Sequence, residues 1–110
     1  MAYDQRLADR VRAVLKGRKG MDEIKMFGGV CFTLCGHMVV GVLKDELMVR
    51  LPKQEDAATS REPHVRPMDL TGRRMKGFHF VGAPGLTSSA QLRRWIGRCT
   101  AYVSTLPPKA

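Results

Sequence analysis

The sequence predicts an α+β domain in which helices pack on an antiparallel sheet. Apolar residues recur with helical spacing near both ends of the chain, and the segments between them show the period of two that is typical of strands. Short turns join these middle segments, which argues against a parallel βαβ winding. The predicted order is α-β-β-β-(β)-α-β-β-α, and the 110 residues suffice for one domain spanning residues 1–110.

The first predicted element is a helix that Asp4 caps, because its carboxylate can accept hydrogen bonds from the first-turn amides. Gly17 and Gly20 supply a stop signal. One apolar stripe runs along this helix at positions i, i+4, i+7 and i+8, formed by Leu7, Val11, Val14 and Leu15.

Four strands are predicted to follow this helix. The first covers residues 24–27 and ends at Gly28-Gly29, a pair that suits a turn or a bulge with positive φ. A turn at Gly36-His37 separates the second strand from the third. The remaining strands cover residues 30–35, 38–43 and 46–51. Together they predict an antiparallel meander.

The second half of the chain begins with Pro52, which suits the first turn of a short helix running to about Ser60. Residues 61–74 are predicted as loop with a short strand near Met68, followed by a strand over residues 77–81. The last helix is capped by Ser88 or Ser89 and ends before Pro107-Pro108. Its apolar face comprises Leu92, Trp95, Ile96, Cys99, Tyr102, Val103 and Leu106.

The three cysteines, Cys31, Cys35 and Cys99, match no disulfide pattern and are predicted to be reduced thiols. Charged residues interrupt the N-terminal segment, which excludes a signal peptide there, and the longest apolar run is too short to span a bilayer. The sequence therefore predicts a soluble, cytoplasmic protein with no membrane partner. A zinc site at Cys31, Cys35 and His37 lacks an evident fourth ligand, so small buried thiols on a strand are the preferred interpretation.

The net charge of +9 is concentrated in the C-terminal part of the chain. Residues 1–69 contain twelve basic and ten acidic residues, whereas residues 70–110 contain seven basic residues and no acidic one. This asymmetry indicates either a contact surface for nucleic acid or an anionic protein, or a solvated face that maintains solubility. The candidate residues for binding an anion or a partner are Arg73, Arg74, Lys76, Arg93, Arg94 and Arg98.

The segment from Gly72 to Gly77 has the glycine spacing of a phosphate-binding loop. A P-loop requires Lys and Ser or Thr directly after the second glycine, and here Phe78 and His79 follow. With three cations in four residues, the segment is predicted to be either an anion-binding loop or an exposed basic hairpin.

No residue pattern predicts catalysis. Nothing in the sequence places a histidine beside a thiol, as an activated cysteine nucleophile requires. The acidic pairs are predicted to be solvated at turns or on an exposed helix; they are Asp22-Glu23, Asp45-Glu46 and Glu55-Asp56. The methionines are predicted mainly to fill the core. We therefore predict no enzyme activity, no cofactor and no metal site.

Several motifs resemble the N-terminal domain of the TfoX (Sxy) competence regulators, in order over nearly the whole chain. They are Met26-Phe27-Gly28-Gly29, Gly36-His37-Met38 with Gly41, Leu47-Met48-Val49-Arg50, Arg66-Pro67-Met68, Gly72 to Phe78, Trp95 and Leu106-Pro107-Pro108-Lys109. One departure is Arg74, where the family pattern usually has proline. Full-length members carry a further helical domain, so the resemblance implies no role here that depends on that domain.

The resemblance implies an α+β fold and a regulatory role connected with transcription and DNA uptake, with no known enzyme activity or cofactor. The leading hypothesis is a non-enzymatic module that binds a protein partner. One alternative is direct binding of nucleic-acid phosphates through the basic C-terminal half. Another is a small-ligand binder or an unrecognised enzyme whose pocket residues are scattered in the sequence. A homodimer through a sheet edge or a Met-rich surface is left open.

Overall fold

Six antiparallel strands form one sheet in the computed structural model of the protein, which describes residues 3–26, 28–69 and 74–107. In chain order the strands are β1 (Met21–Met26), β2 (Gly29–Leu34), β3 (His37–Leu43), β4 (Glu46–Arg50), β5 (Val65–Asp69) and β6 (Arg74–Val81). Their order across the sheet is β1-β2-β3-β4-β6-β5, so β1 and β5 are the two edge strands.

Within the described residues, three helices accompany the sheet: α1 (Gln5–Leu15), α2 (Asp56–Ser60) and α3 (Ser89–Val103). Short 3₁₀ turns cover Lys53–Glu55 and Ala83–Leu86. The order of helices and strands is the predicted one, and the α+β prediction is confirmed. Among the described helices, none combines the length and the apolar character needed to cross a membrane.

The main core lies between α1, α3 and one face of the sheet. Leu7 and Val11 of α1 pack with Trp95 and Ile96 of α3, and these side chains are at most 4% exposed. The sheet contributes apolar side chains at alternating positions, among them Val30, Phe32, Val40, Val42, Leu47, Val49 and Val81. The apolar side chains that recur with helical spacing on α1 and α3 therefore pack against the alternating apolar side chains of the strands, and together they form one apolar layer.

A second apolar cluster lies on the opposite face of the sheet. It comprises Cys31, Leu43, Met48, Met68 and Phe80. Gly41 sits between Cys31 and Met48 in register, and a Cβ on Gly41 would lie 3.1 Å from Cys31 Sγ and 3.0 Å from Met48 Cε. The predicted core role of methionine is confirmed at Met48 and Met68, whereas Met75 is 40% exposed.

Both long helices begin at predicted caps. Asp4 Oδ1 accepts hydrogen bonds from the backbone N–H groups of Arg6 and Leu7, at 2.9 and 3.2 Å. Ser88 caps α3 through a capping box, in which Ser88 Oγ accepts from Gln91 N at 3.1 Å and Gln91 Oε1 accepts from Ser88 N at 3.0 Å. These contacts satisfy first-turn amides that the helices leave unpaired.

Strand boundaries differ from the prediction where polar residues occupy a strand. β1 begins at Met21 rather than at residue 24. Its first residues include exposed polar side chains such as Asp22, because an edge strand is only partly covered, and such a segment lacks the apolar alternation from which a strand is predicted. β6 likewise begins at Arg74 rather than at residue 77. β5 includes Pro67. An edge strand tolerates proline where the missing N–H would face solvent and not a neighbouring strand.

The turn between β2 and β3 corrects the prediction for Cys35. β2 ends at Leu34, and Cys35 and Gly36 form the turn with φ of 50° and 86°. Positive φ at both central residues matches the right-handed twist of a tight hairpin. Cys35 is therefore an exposed turn residue and not a buried strand thiol, whereas the prediction of burial is confirmed for Cys31 and Cys99.

Candidate partner-binding surface

The described members of the six predicted cations belong to two elements, β6 and α3. Arg73 lies outside the described residues, as does the side chain of Arg74, whose backbone begins β6. Lys76 follows on β6 and is exposed. β6 pairs antiparallel with β5, so the residues from Arg74 to Gly77 form a hairpin strand and do not precede a helix as a P-loop would. The remaining three cations project from α3.

Two of the α3 arginines converge on one carboxylate. Arg98 donates from Nη1 and Nη2 to Glu62 Oε1 and Oε2, both at 3.0 Å. Arg94 Nη2 donates to Glu62 Oε1 at 3.2 Å. The guanidinium carbons of Arg98 and Arg94 lie 4.6 and 5.6 Å from the centre of the Trp95 ring. Glu62 thus neutralises part of the charge that sequence reasoning had assigned to an external anion.

Lys76 and Arg93 remain as exposed candidates. Within residues 3–26, 28–69 and 74–107, neither side chain has an ion pair or a hydrogen bond. They occupy different elements, β6 and α3. The structure therefore brings together Arg94 and Arg98 but does not unite the described members of the set in one site.

A different group of cations lies where β4 ends beside β6. Arg50 ends β4 opposite Phe78 of β6. The next pairing step joins the strands through Leu51 N, which donates to Gly77 O at 2.8 Å. A Cβ on Gly77 would lie 3.6 Å from Lys53 Cγ, so Lys53 sits next to the residue that follows Lys76. We call Arg50, Lys53 and Lys76 the basic rim.

Arg50 is the fixed member of the basic rim. Its guanidinium carbon lies 5.6 Å from the ring centre of Phe78 and 6.0 Å from that of Tyr102. Nη1 donates to Met38 O at 3.3 Å, and the side chain is half-buried. Stacking on aromatic rings holds a guanidinium in place while its edge keeps further donors available.

Arg50 has no carboxylate partner among the described residues, in contrast to four other arginines of the fold. Arg12, Arg66, Arg94 and Arg98 each pair with an aspartate or a glutamate. Hydrogen bonds that Arg66 donates to Glu46 raise the pKa of Arg66, and hydrogen bonds that Arg12 donates to Glu23 raise the pKa of Arg12. These four cations are neutralised within the fold, whereas Arg50, Lys53 and Lys76 of the basic rim have no carboxylate partner in the described residues.

Two acidic residues that were predicted to be solvated have structural roles instead. Glu46 bonds Arg66 across the β4–β6–β5 side of the sheet, and its side chain is 20% exposed. Asp56 Oδ1 accepts from Gly77 N at 2.9 Å. Both predictions of a solvated side chain are wrong because the partner of each acid lies about twenty residues away in sequence, as the contacts 46–66 and 56–77 show.

Sequence reasoning missed a buried polar cluster around His79. Its Nε2 lies 2.9 Å from Ser60 Oγ and 3.5 Å from Asp56 Oδ1, and the histidine side chain is fully buried. Serine and aspartate approach the same ring nitrogen, so the histidine does not stand between them as it does in a Ser-His-Asp triad. The cluster joins α2 to β6; the only signal for it was the i, i+4 spacing of Asp56 and Ser60 on a short helix.

The buried thiols are not activated. Burial raises the pKa of Cys31, and it raises the pKa of Cys99 to about 12. A nucleophilic cysteine requires a lowered pKa, so these two thiols behave as small apolar side chains. In the described part of the chain, no group of three or more His, Cys, Asp or Glu side chains is placed to hold a metal ion.

An open groove of about 660 Å³ lies between the C-terminal half of α1 and β1. Its walls include Asp9, Arg12, Glu23 and Phe32. Arg12 bonds both acids, at 2.7 Å to Asp9 Oδ1 and at 2.9 Å to Glu23 Oε2. Asp9, Arg12 and Glu23 therefore satisfy one another within the groove.

The comparison with protein families matches residues 13–102 to the model of the TfoX N-terminal domain. This match covers most of the chain and includes the six described strands, α2 and all of α3 except its last residue. No curated protein and no solved structure matches the chain significantly.

Proposed function

The chain belongs to the TfoX N-terminal domain family, and on that basis we propose that it is a non-enzymatic regulatory module that binds an acidic segment of a protein partner. The partner contacts the basic rim, and the interaction serves transcription or DNA uptake, as in the competence regulators that the family is named after. No step of this function requires a cofactor.

The observation that carries the proposal is the environment of Arg50. A half-buried guanidinium without a carboxylate partner in the described residues retains an incomplete set of hydrogen bonds. A carboxylate from a partner would complete them in a charge-assisted, bidentate pair. Lys53 follows Arg50 by three residues and Lys76 precedes its strand partner Phe78 by two; both lysines are exposed and would contact neighbouring acidic residues. Phe78 and Tyr102 supply the aromatic surface that protein interfaces favour.

A protein segment suits the basic rim better than a nucleic-acid backbone does. Duplex binding needs a row of cations that follows phosphates over many ångströms. On α3 such a row is interrupted, because Glu62 already pairs with Arg94 and Arg98. Arg50 beside two aromatic rings, with two exposed lysines on the adjoining segments, matches a short acidic peptide that carries an apolar residue.

Fluorescence anisotropy tests the proposal with a labelled twelve-residue peptide of glutamates and one phenylalanine, compared with labelled duplex and single-stranded DNA. At about 150 mM salt we expect the peptide to bind and DNA to bind more weakly. The double variant Lys53→Glu, Lys76→Glu should weaken peptide binding at least about tenfold, because it reverses two of the three rim charges. Arg50→Lys should weaken it several-fold while it keeps the charge.

The matched control is Arg6→Glu, Lys44→Glu, which makes the same change in net charge at exposed positions outside the basic rim. This variant should bind the peptide as the original protein does. If both double variants lose peptide affinity equally, the peptide is attracted by the net charge of the protein alone, and the basic rim is not the binding site. Absence of peptide binding even at about 50 mM salt, where charge interactions are strong, would contradict the proposal outright.

Nucleic-acid binding is the second candidate, favoured by the exposure of Lys76 and Arg93 without acidic partners in the described residues. It would use these two cations together with Arg73 and Arg74. In the same experiment it predicts that DNA binds more tightly than the peptide, with affinity falling log-linearly with salt. It also predicts that Arg93→Glu weakens DNA binding on all sequences alike, whereas the peptide-binding proposal leaves Arg93 without a role.

A further inference from the structure

The two edges of the sheet are not equivalent. β5 contains Pro67, and its register with β6 shifts between Pro67 and Asp69. Proline and irregular pairing both hinder the addition of a further strand. β1 pairs with β2 through six consecutive residues without a shift, and no described strand lies on its outer side. β1 is therefore the edge that remains open to pairing.

The backbone groups of β1 that face outward follow from the ladder with β2. Gly20 O accepts from Cys35 N at 2.9 Å, at the point where the β1–β2 register continues toward the turn. Residues of an antiparallel strand direct their N–H and C=O groups alternately toward and away from the neighbour. Met21, Glu23 and Lys25 consequently present their backbone groups to the outside.

The side chains of β1 divide between the two faces of the sheet. Ile24 lies opposite Cys31 on the face away from α1 and α3, and it is 46% exposed. Glu23 and Lys25 lie on the helix side, opposite Phe32 and Val30. A large apolar residue thus lies exposed in the middle of an edge strand, between two residues of opposite charge.

We propose that β1 is a homodimer interface in which it pairs antiparallel with β1 of a second copy about a two-fold axis at Ile24. In this register Ile24 packs against Ile24 of the partner subunit. Glu23 then faces Lys25 of the partner subunit, and by symmetry Lys25 faces Glu23 of the partner subunit. The outward backbone groups of Glu23 and Lys25 form the hydrogen-bonded pairs, and Ile24 occupies the non-hydrogen-bonded pair, where side chains approach most closely.

Charge complementarity selects this register over its neighbours. An axis at Glu23 would place two glutamates opposite each other, and an axis at Lys25 would place two lysines opposite each other. An axis between two residues would pair side chains from opposite faces of the sheet. The Ile24-centred register keeps the faces aligned and opposes every charge with its opposite or with an uncharged residue.

A dimer held by one six-residue strand pair is expected to be weak. Its contact is small beside the roughly 1,200–2,000 Å² that stable complexes bury. We therefore expect a dissociation constant between about 10 µM and 1 mM, equivalent to about −7 to −4 kcal/mol. Sedimentation velocity from about 10 µM to 1 mM should show a concentration-dependent shift from monomer to dimer.

Substitutions on β1 test the register. Ile24→Lys places two lysines at the axis and should abolish the dimer. Lys25→Glu opposes glutamates, and Glu23→Lys opposes lysines, so each variant alone should raise the dissociation constant about tenfold or more. An equimolar mixture of Lys25→Glu and Glu23→Lys restores opposite charges across the axis and should dimerise as the original protein does.

Lys44→Glu, at an exposed turn position, is the matched charge control and should leave the dimer intact. Circular dichroism establishes that each variant is folded; Lys25→Glu leaves the Arg12–Glu23 pair in place, so it serves even if Glu23→Lys is destabilised. A protein that is monomeric up to about 1 mM would overturn the interface. A dimer that survives Ile24→Lys and Lys25→Glu, or a mixture that does not restore it, would also overturn it.

Discussion

Arg98 and Glu62 form a bidentate ion pair that joins the middle of α3 to the segment between α2 and β5. Both donor–acceptor distances are 3.0 Å, and the residues are 36 positions apart in sequence. The guanidinium also stacks on Trp95 of the same helix. This pair gives a structural role to an arginine that the sequence analysis offered as a binding residue.

Glu62→Gln should lower the free energy of unfolding by about 1 kcal/mol, because it breaks a bidentate pair whose two side chains are mostly sheltered. Urea denaturation measures the change. Arg94→Ala is the matched control: its side chain is 64% exposed, so its loss should cost no more than about 0.3 kcal/mol. Equal losses in the free energy of unfolding for the two variants would show that the Glu62–Arg98 pair contributes no stability beyond that of the Glu62–Arg94 pair.

Gly29→Ala should destabilise the protein by about 3 kcal/mol or more, which in a domain of this size leads to poor folding. A Cβ at this position would lie 2.2 Å from Val42 O and 2.9 Å from Leu43 Cγ, so the strands would have to separate. Gly97→Ala should instead stabilise the protein by about 1 kcal/mol, because α3 has open space there and alanine favours a helix. Thermal melting of both variants checks that the melting temperature falls for Gly29→Ala and rises for Gly97→Ala. A small decrease for Gly29→Ala would contradict the close approach of Gly29 to Val42.

The helices could be predicted because their signals are local. The cap at Asp4, the capping box from Ser88 to Gln91 and the apolar stripes lie within a few residues of one another. The edge strand β1 was predicted too short because it carries charges on both faces, whereas β5, which contains Pro67, is the short strand predicted near Met68. A strand that is only half covered leaves little apolar pattern in the sequence.

The candidate site was less predictable because charge pairing depends on the fold. Composition showed that the C-terminal part is basic, but Glu62 lies outside that part and pairs with two of its arginines. Arg50, in the first half of the chain, acquires its place beside Phe78 and Tyr102 only through the β4–β6 pairing and the packing of α3. The spacing of residues in the sequence does not predict the contact of Arg50 with these two rings.

Thiol accessibility should distinguish the three cysteines. Cys35 is exposed in its turn, whereas Cys31 and Cys99 are buried. At pH 8 one thiol of the folded protein should react rapidly with an aromatic disulfide reagent, and all three should react in denaturant. Cys35→Ala should remove the rapid reaction. A second rapid thiol in the folded protein would contradict the burial of Cys31 or Cys99.

The buried thiol of Cys99 should make stability fall with alkaline pH. Its pKa is about 12 in the folded protein against 9.0 for an exposed thiol, so the folded state retains a proton that the unfolded chain releases. The contribution is present below about pH 9 and is lost progressively toward pH 12. Between pH 8 and 10 the original protein should lose about 1 kcal/mol more than Cys99→Ala, measured by guanidinium denaturation at each pH. Comparing the pH dependence rather than absolute stabilities removes the cost of the cavity that alanine leaves, and Cys35→Ala should retain the full decline. Parallel curves for the original protein and Cys99→Ala would mean that the Cys99 thiol ionises in the folded state.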